Sequence, residues 1–567
     1  MRPTATNILP AELLALLLAE PAAELALLDV RETRWFVQRH LNLARNAPFS
    51  GLELQVGALV PRRSTPVVLL DDDGAPGGVA QQALAVLARR GYTDLRTLAG
   101  GLRRWLAEGL PAIDGYGTLV KAFGDRVRLH YGTPGLPVAA LRERLRAGRP
   151  TTLVDARPRA EFEFLSLPGA RNHPGTELAL RRFAPDGPEH RPGHLWAVHC
   201  FSRTRGIVGA TTLRLLGRAR DAVFVEDGVM DWGLQGAPTV QNAAPGDELP
   251  PESPALLRAA ADALIARFAL PVADAAQLAH WRADHSRTLY VFDVRPQADP
   301  AFARTGLRQV PGGQLLMHFE NLVGTRGARI VLVDDPAHRL RAAVTAFWLT
   351  QLGQAEVHVY DGEFTPPQAP PAPCAAIDGA PPPLASDALA ARQAAGALTL
   401  VDVGPSLDYE RGHLRGALYL LPASLDPLAP LVADAMDAAA GRTFVFTSPD
   451  GTAAARVARD AHQRWQGARE GKGAVFTWLQ GGTQAWQASG RPLATAFAPA
   501  QLLSPFDDDW GSVMRVFGPR RDAVWADYLA WERALSERVL QDPSVRFRLF
   551  ALSAPPRASA RGRAARS

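Results

Sequence analysis

The 567-residue sequence predicts an α/β protein built from four tandem domains, each a mainly parallel sheet with helices on both faces. Three observations predict it. A short apolar strand ending in Asp or Asp-x-Arg occurs four times at domain-sized intervals. Each copy continues with a second, unalternating apolar strand and then an Ala- and Leu-rich helical stretch. Three copies close on a Gly-containing turn ahead of a Trp.

The first strands are Leu27-Leu28-Asp29-Val30-Arg31, Leu153-Val154-Asp155-Ala156-Arg157, Val291-Phe292-Asp293-Val294-Arg295 and Leu400-Val401-Asp402-Val403-Gly404. The second strands are Val67 to Leu70, Trp196 to His199, Ile330 to Val333 and Thr443 to Phe446. Continuous apolar runs of this kind suit strands buried on both faces of a parallel sheet. The closing turns are Gly100-Gly101 before Trp105, Asp227-Gly228 before Trp232 and Gly481-Gly482 before Trp486, whereas the third copy has only Tyr360-Asp361-Gly362. Proline and small residues mark linkers at Asn242 to Pro254 and Thr365 to Pro383.

Composition narrows the class. With 47% hydrophobic and 21% charged residues the chain can fill several packed cores. Its two cysteines, Cys200 and Cys374, cannot form a disulfide framework, which fits a reducing, cytoplasmic setting. The apolar run Leu13 to Leu18 is flanked by Glu12 and Glu20 and reads as a short amphipathic helix, not a signal peptide. No run is long enough to span a membrane. The net charge of +5 is spread among acids, so neither nucleic acid nor membrane is expected as a partner. Trp525 to Leu540 reads as one further amphipathic helix, and the Arg-rich end from Arg557 to Arg566 as a disordered basic tail.

These signatures together resemble the rhodanese homology family, over most of residues 1 to 495. The resemblance is strongest in the second copy, which carries the turn Leu167-Pro168-Gly169-Ala170-Arg171-Asn172 and the loop His199-Cys200-Phe201-Ser202-Arg203-Thr204-Arg205-Gly206. The family's loop is commonly of the Cys-x-x-Arg-Thr-Arg type. The resemblance implies a thiosulfate sulfurtransferase in which Cys200 is the nucleophile and carries a persulfide. The resemblance implies that Phe201, Ser202, Arg203, Thr204 and Arg205 form the substrate-binding loop. It implies a small anionic sulfur donor such as thiosulfate, a cyanide or thiol acceptor, possible transfer to a protein acceptor, and neither cofactor nor metal.

The residues give this reading its chemistry. Cys200 ends a strand and precedes a helix, where backbone N–H groups and a helix N-terminus converge and favour a thiolate. Arg203 and Arg205 are expected to lower the thiol's pKa and to attract the anion. Asp155 and Arg157 read as structural, because the pair recurs in the first and third copies, which lack a thiol. His199 is expected to point to the opposite face from Cys200, and His173 to have no role.

The expected domains are 1–115, 128–240, 268–366 and 380–495, followed by 496–567 as the C-terminal helix and tail. Aligned on strand ends, Asp71, Asp334 and Thr447 stand where Cys200 stands, so the first, third and fourth domains are expected to be inactive. Cys374 reads as an incidental linker thiol. Two other readings remain: a non-catalytic persulfide carrier or scaffold, and a Cys-dependent phosphatase or arsenate reductase. Those enzymes use a longer Cys-x5-Arg loop, whereas Cys200 and Arg205 enclose a Cys-x4-Arg loop that suits sulfur better than phosphate.

Overall fold

The computed structural model describes residues 6–20, 23–182, 193–244, 248–296, 307–364, 377–396, 398–437, 442–465 and 473–551. Cys374 and the basic tail lie outside these residues. Four separate sheets form, and every strand pair in them is parallel. Three sheets have five strands in the spatial order first, fifth, fourth, second, third. The fourth keeps that order without its first strand, whose place is marked by a parallel bridge between Leu384 and Leu479. The four-fold α/β repeat predicted from the strands is thus the architecture observed.

The central strand explains the unalternating sequence. All four residues of Val67–Leu70 are buried, as are four of the five in Leu195–His199 and in Arg329–Val333. Each domain's Asp-ending strand pairs alongside, with Asp29, Asp155, Asp293 and Asp402 opposite Leu70, His199, Val333 and Thr447.

This register corrects the alignment of the fourth copy. Thr447 is still inside its strand, opposite Asp402, and the residue that follows it, Ser448, occupies the position of Cys200. Hydrogen bonds to the closing turn agree: the Cys200, Asp71 and Ser448 carbonyls accept from Val229, Leu102 and Thr483 respectively. The strand runs one residue further than its apolar stretch, a length that counting hydrophobic residues could not reveal.

The domains are not beads on a string. One continuous apolar cluster joins the first three, running from Leu13 through Phe123, Ile207 and Leu264 to Phe347 and Leu535. Its hub is the helix Thr118–Tyr131, in a stretch the sequence left between domains; it packs on the helix Thr204–Leu215 and on the C-terminal helix. The fourth domain has its own apolar clusters and is tied to the first by Arg459, which donates to both carboxylate oxygens of Glu53. Leu13 to Leu18 lies in the helix Pro10–Leu18, with Leu13 and Leu17 buried. Among the described residues no helix is long and apolar enough to cross a membrane.

The C-terminal helix runs from Arg521 to Leu540, slightly longer than expected. Trp525, Leu529, Glu532, Leu535, Ser536 and Val539 are buried, a stripe at helical spacing that faces the other domains. One member of that apolar stripe is a carboxylate.

Candidate active site

Cys200 directly follows the strand Leu195–His199 and precedes the helix Thr204–Leu215. The chain turns through Phe201, Ser202 and Arg203, and the Gly206 backbone N–H is directed at the Cys200 sulfur. The closing turn holds this loop from the other side: Val229 N–H donates to the Cys200 carbonyl and Met230 N–H to that of Phe201. Gly228 makes the approach possible. It has φ +52°, and a Cβ there would lie 2.2 Å from the Cys200 oxygen.

The other copies fill the same helix N-terminus with their own side chains. Asp71 accepts from the Gly74 and Ala80 N–H groups, Asp334 from Asp335 and Ala342, and Ser448 from Ala454. The position is therefore an acceptor site in every domain. Only the second copy places sulfur there.

A cavity of about 150 Å³ opens on Cys200. Its floor is Cys200, Phe201, Ser202, Thr204 and Arg205, and the helix Arg159–Phe164 adds Glu161. The remaining walls come from far away in the chain. Tyr116, Gly117 and Lys121 lead into the helix Thr118–Tyr131, the third domain contributes Met317 and His318, and the C-terminal segment supplies Trp510, Met514, Tyr528 and Glu532. Cys200 is only 3% exposed under this cover.

Burial governs the electrostatics. It pushes the Cys200 thiol above its ordinary pKa, while Arg205 and the Gly206 N–H pull it back. Arg205 thus acts in the expected sense, but burial outweighs it, and the thiol is raised where two arginines were expected to lower it. Arg205 is nearby, but its two Nη atoms each donate to Glu161, at 2.7 Å, so its charge is largely balanced. Arg203 does not line the cavity. It is bound to Asp125 at 2.8 Å and lies 3.5 Å from Asp227.

Asp155 and Arg157 stand behind the loop. Burial favours the neutral acid, yet the Arg157 guanidinium and His199 hold the Asp155 carboxyl below the usual carboxylate range. Arg157 donates to Asp155 and to the Leu165 carbonyl and lies over the Phe201 ring, 5.9 Å from its centroid, so the pair braces the loop. The equivalent pairs Arg31–Asp29 and Arg295–Asp293 have the same 2.6 Å contact. His199 is fully buried with Nδ1 3.8 Å from Asp155, outside the cavity, and burial lowers its pKa. His173 is also buried and accepts from the Leu249 N–H. Among the described residues no group of His, Cys, Asp or Glu could hold a metal ion.

The rhodanese-like domain family model matches residues 9–108 and 385–489. The crystal structure of thiosulfate sulfurtransferase from Pseudomonas aeruginosa is 31% identical in sequence and superposes with a TM-score of 0.83, over 96% of this chain and 100% of that one. The chain belongs to the rhodanese family. A curated relative, the HTH-type transcriptional regulator Rv0324 from Mycobacterium tuberculosis, is 36% identical over 109 residues, or 19% of this chain and 45% of that protein. The likeness to the regulator is therefore limited to a single-domain length.

Two features of this rhodanese were not legible as site residues in its sequence. Lys121 sits in a helix between two repeats, and Glu532 sits in a helix beyond the last. Only Glu532 left a trace: a carboxylate in register with Trp525, Leu529 and Leu535 on the buried face of a helix.

Proposed function

We propose that the protein is a sulfurtransferase that moves sulfane sulfur from thiosulfate or a similar small donor to a thiol or cyanide, through a persulfide on Cys200. The observation that carries this reading is the placement of the Cys200 sulfur at the helix N-terminus and at the base of a partly open cavity. The Cys200 thiolate attacks the outer sulfur of the donor. A new S–S bond forms, the donor's S–S bond breaks, and sulfite leaves with the electron pair. The acceptor then attacks the outer persulfide sulfur and Cys200 departs as thiolate. Backbone N–H groups of the loop and helix stabilise the anionic sulfur in both steps.

The first, third and fourth domains take no part in this chemistry. Their carboxylates and hydroxyl cannot carry sulfane sulfur; of the three, the third also lines the cavity, through Met317 and His318. A phosphatase reading is disfavoured by Arg205, whose outer nitrogens are bound to Glu161 and not free to cradle a phosphate. A carrier that delivers sulfur to a protein acceptor is disfavoured by the cover over Cys200.

Intact mass before and after thiosulfate tests the proposal directly. The wild type gains one sulfur and releases thiocyanate when cyanide is added, Cys200→Ser does neither, and Cys374→Ser does both. A persulfide that no small acceptor discharges would establish the carrier instead.

A further inference from the structure

The cavity holds a carboxylate that has the Ser202 hydroxyl directed at it and, among the described residues, no cation bound to it. Glu532 is 5% exposed and lines the cavity beside Cys200, and neither of its oxygens has a well-formed hydrogen bond to any described residue. A buried carboxylate served by a single hydroxyl donor is costly unless a ligand or a proton completes it. Its neighbours are the Ser202 hydroxyl and Arg203 of the loop, Lys121 of the helix Thr118–Tyr131, Asp227 of the closing turn and Tyr528 on its own helix. Lys121 is the principal opposing charge, and its ammonium is already bound to the Tyr116 carbonyl and faces the Tyr528 and Trp531 rings.

The other candidate bases are less suited. Glu161 has both oxygens committed to Arg205. Burial and the adjacent Arg205 make His318 a weaker base than an ordinary imidazole. Burial acts on Glu532 in the opposite sense and raises its pKa, which makes its ionised form a stronger base. Around it, Phe201, Met317, Trp510 and Met514 give the cavity an apolar wall against which the organic part of an acceptor can pack.

We infer that Glu532 is the general base for the sulfur-accepting half of the reaction, and that the acceptor is a small organic thiol entering in its protonated form. This rests on the Cys200 persulfide reading. The Glu532 carboxylate takes the proton from the acceptor S–H as the acceptor sulfur attacks the outer sulfur of the persulfide. The new S–S bond forms, the Cys200 S–S bond breaks, and the bond pair goes to Cys200 as thiolate. The product leaves as a hydropersulfide anion. Glu532 then gives its proton up to solvent, and the sulfite released in the next loading step takes up a proton from solvent as hydrogen sulfite. Thiosulfate and a thiol thereby give hydropersulfide anion and hydrogen sulfite, with no oxidant or reductant required.

The test uses full-length enzyme loaded with thiosulfate, freed of excess donor, and mixed in a single turnover near neutral pH with either ethanethiol or trifluoroethanethiol. The two are of similar size, but the second is far more acidic and needs no base. Glu532→Gln should still reach full persulfide occupancy by mass, transfer to ethanethiol about 100-fold more slowly, and transfer to trifluoroethanethiol within about threefold of wild type. Equal slowing with both thiols, or with neither, would overturn the inference. In wild type a solvent deuterium isotope effect should accompany transfer to ethanethiol only, and its absence would overturn the inference even if the variant fails to fold. Failure of the wild type to load sulfur at all would instead defeat the persulfide reading.

Discussion

Arg205 and Glu161 meet through two parallel hydrogen bonds, Nη1 to Oε1 and Nη2 to Oε2, each 2.7 Å long. The cation that acts most strongly on the Cys200 thiol is therefore already balanced by its partner, and the thiol's acidity depends on both. Since burial raises the thiol's pKa, the thiolate fraction and the loading rate should climb with pH through the neutral range. Glu161→Gln frees the Arg205 charge and should speed alkylation of Cys200 at neutral pH about three- to tenfold, with the pH profile moved to the acid side. Arg205→Gln leaves Glu161 unopposed and should move the profile the other way. Iodoacetamide rates against pH measure both.

Asp402 provides a stability prediction. The fourth domain has Gly404 where the others have an arginine, and burial raises the Asp402 pKa to about 7. The folded state thus holds a proton that the unfolded state has lost. The stability contribution is complete below the unfolded carboxylate value and falls as pH rises through about 7. Asp402→Asn keeps the acceptor for the Gly404 N–H and should remove this pH dependence, with a gain of about 2–4 kcal/mol above neutrality. Denaturant unfolding of the fourth domain, followed by its tryptophans, is the measurement.

Ser448 tests whether position alone confers activity. It shares the register of Cys200, and the acceptor bond from Ala454 spans the same number of residues as that between Cys200 and Gly206. Its loop of Pro449, Asp450, Gly451 and Thr452 has no cation and one acid. Ser448→Cys in a Cys200→Ser background should fold and yet release no thiocyanate above background.

Trp525 anchors the C-terminal helix. It is 1% exposed, donates to the Val513 carbonyl at 2.9 Å and meets the Phe201 ring edge-on at 5.5 Å. Trp525→Ala should cost about 3–5 kcal/mol of local stability. Cys200 should then be alkylated faster at every pH, as peptide mass mapping would report.

How the sequence foretold the structure differed from layer to layer. The four strand repeats, the Gly turns and the following tryptophans are local signals, and each maps onto a structural bond. Trp105, Trp232 and Trp486 donate to the carbonyls of Pro111, Pro238 and Pro492. The Cys200 loop was legible for the same reason, since strand, loop and helix are contiguous. The electrostatics were not, because Glu161, Asp125 and Asp227, which occupy the two arginines, are remote in sequence. The one-residue error at Thr447 arose where a polar residue ends a strand. Lys121 and Glu532 reach the cavity only by tertiary packing, which no motif encodes.

The distance in sequence between the loop and its cover has a consequence for biosynthesis. Arg533 binds Asp227 across 306 positions, and the helix that carries it is the one that closes over Cys200. During translation the Cys200 loop emerges, and its own domain can fold, long before that helix exists. Until that helix docks, Cys200 lacks the part of its cover that Tyr528 and Glu532 supply.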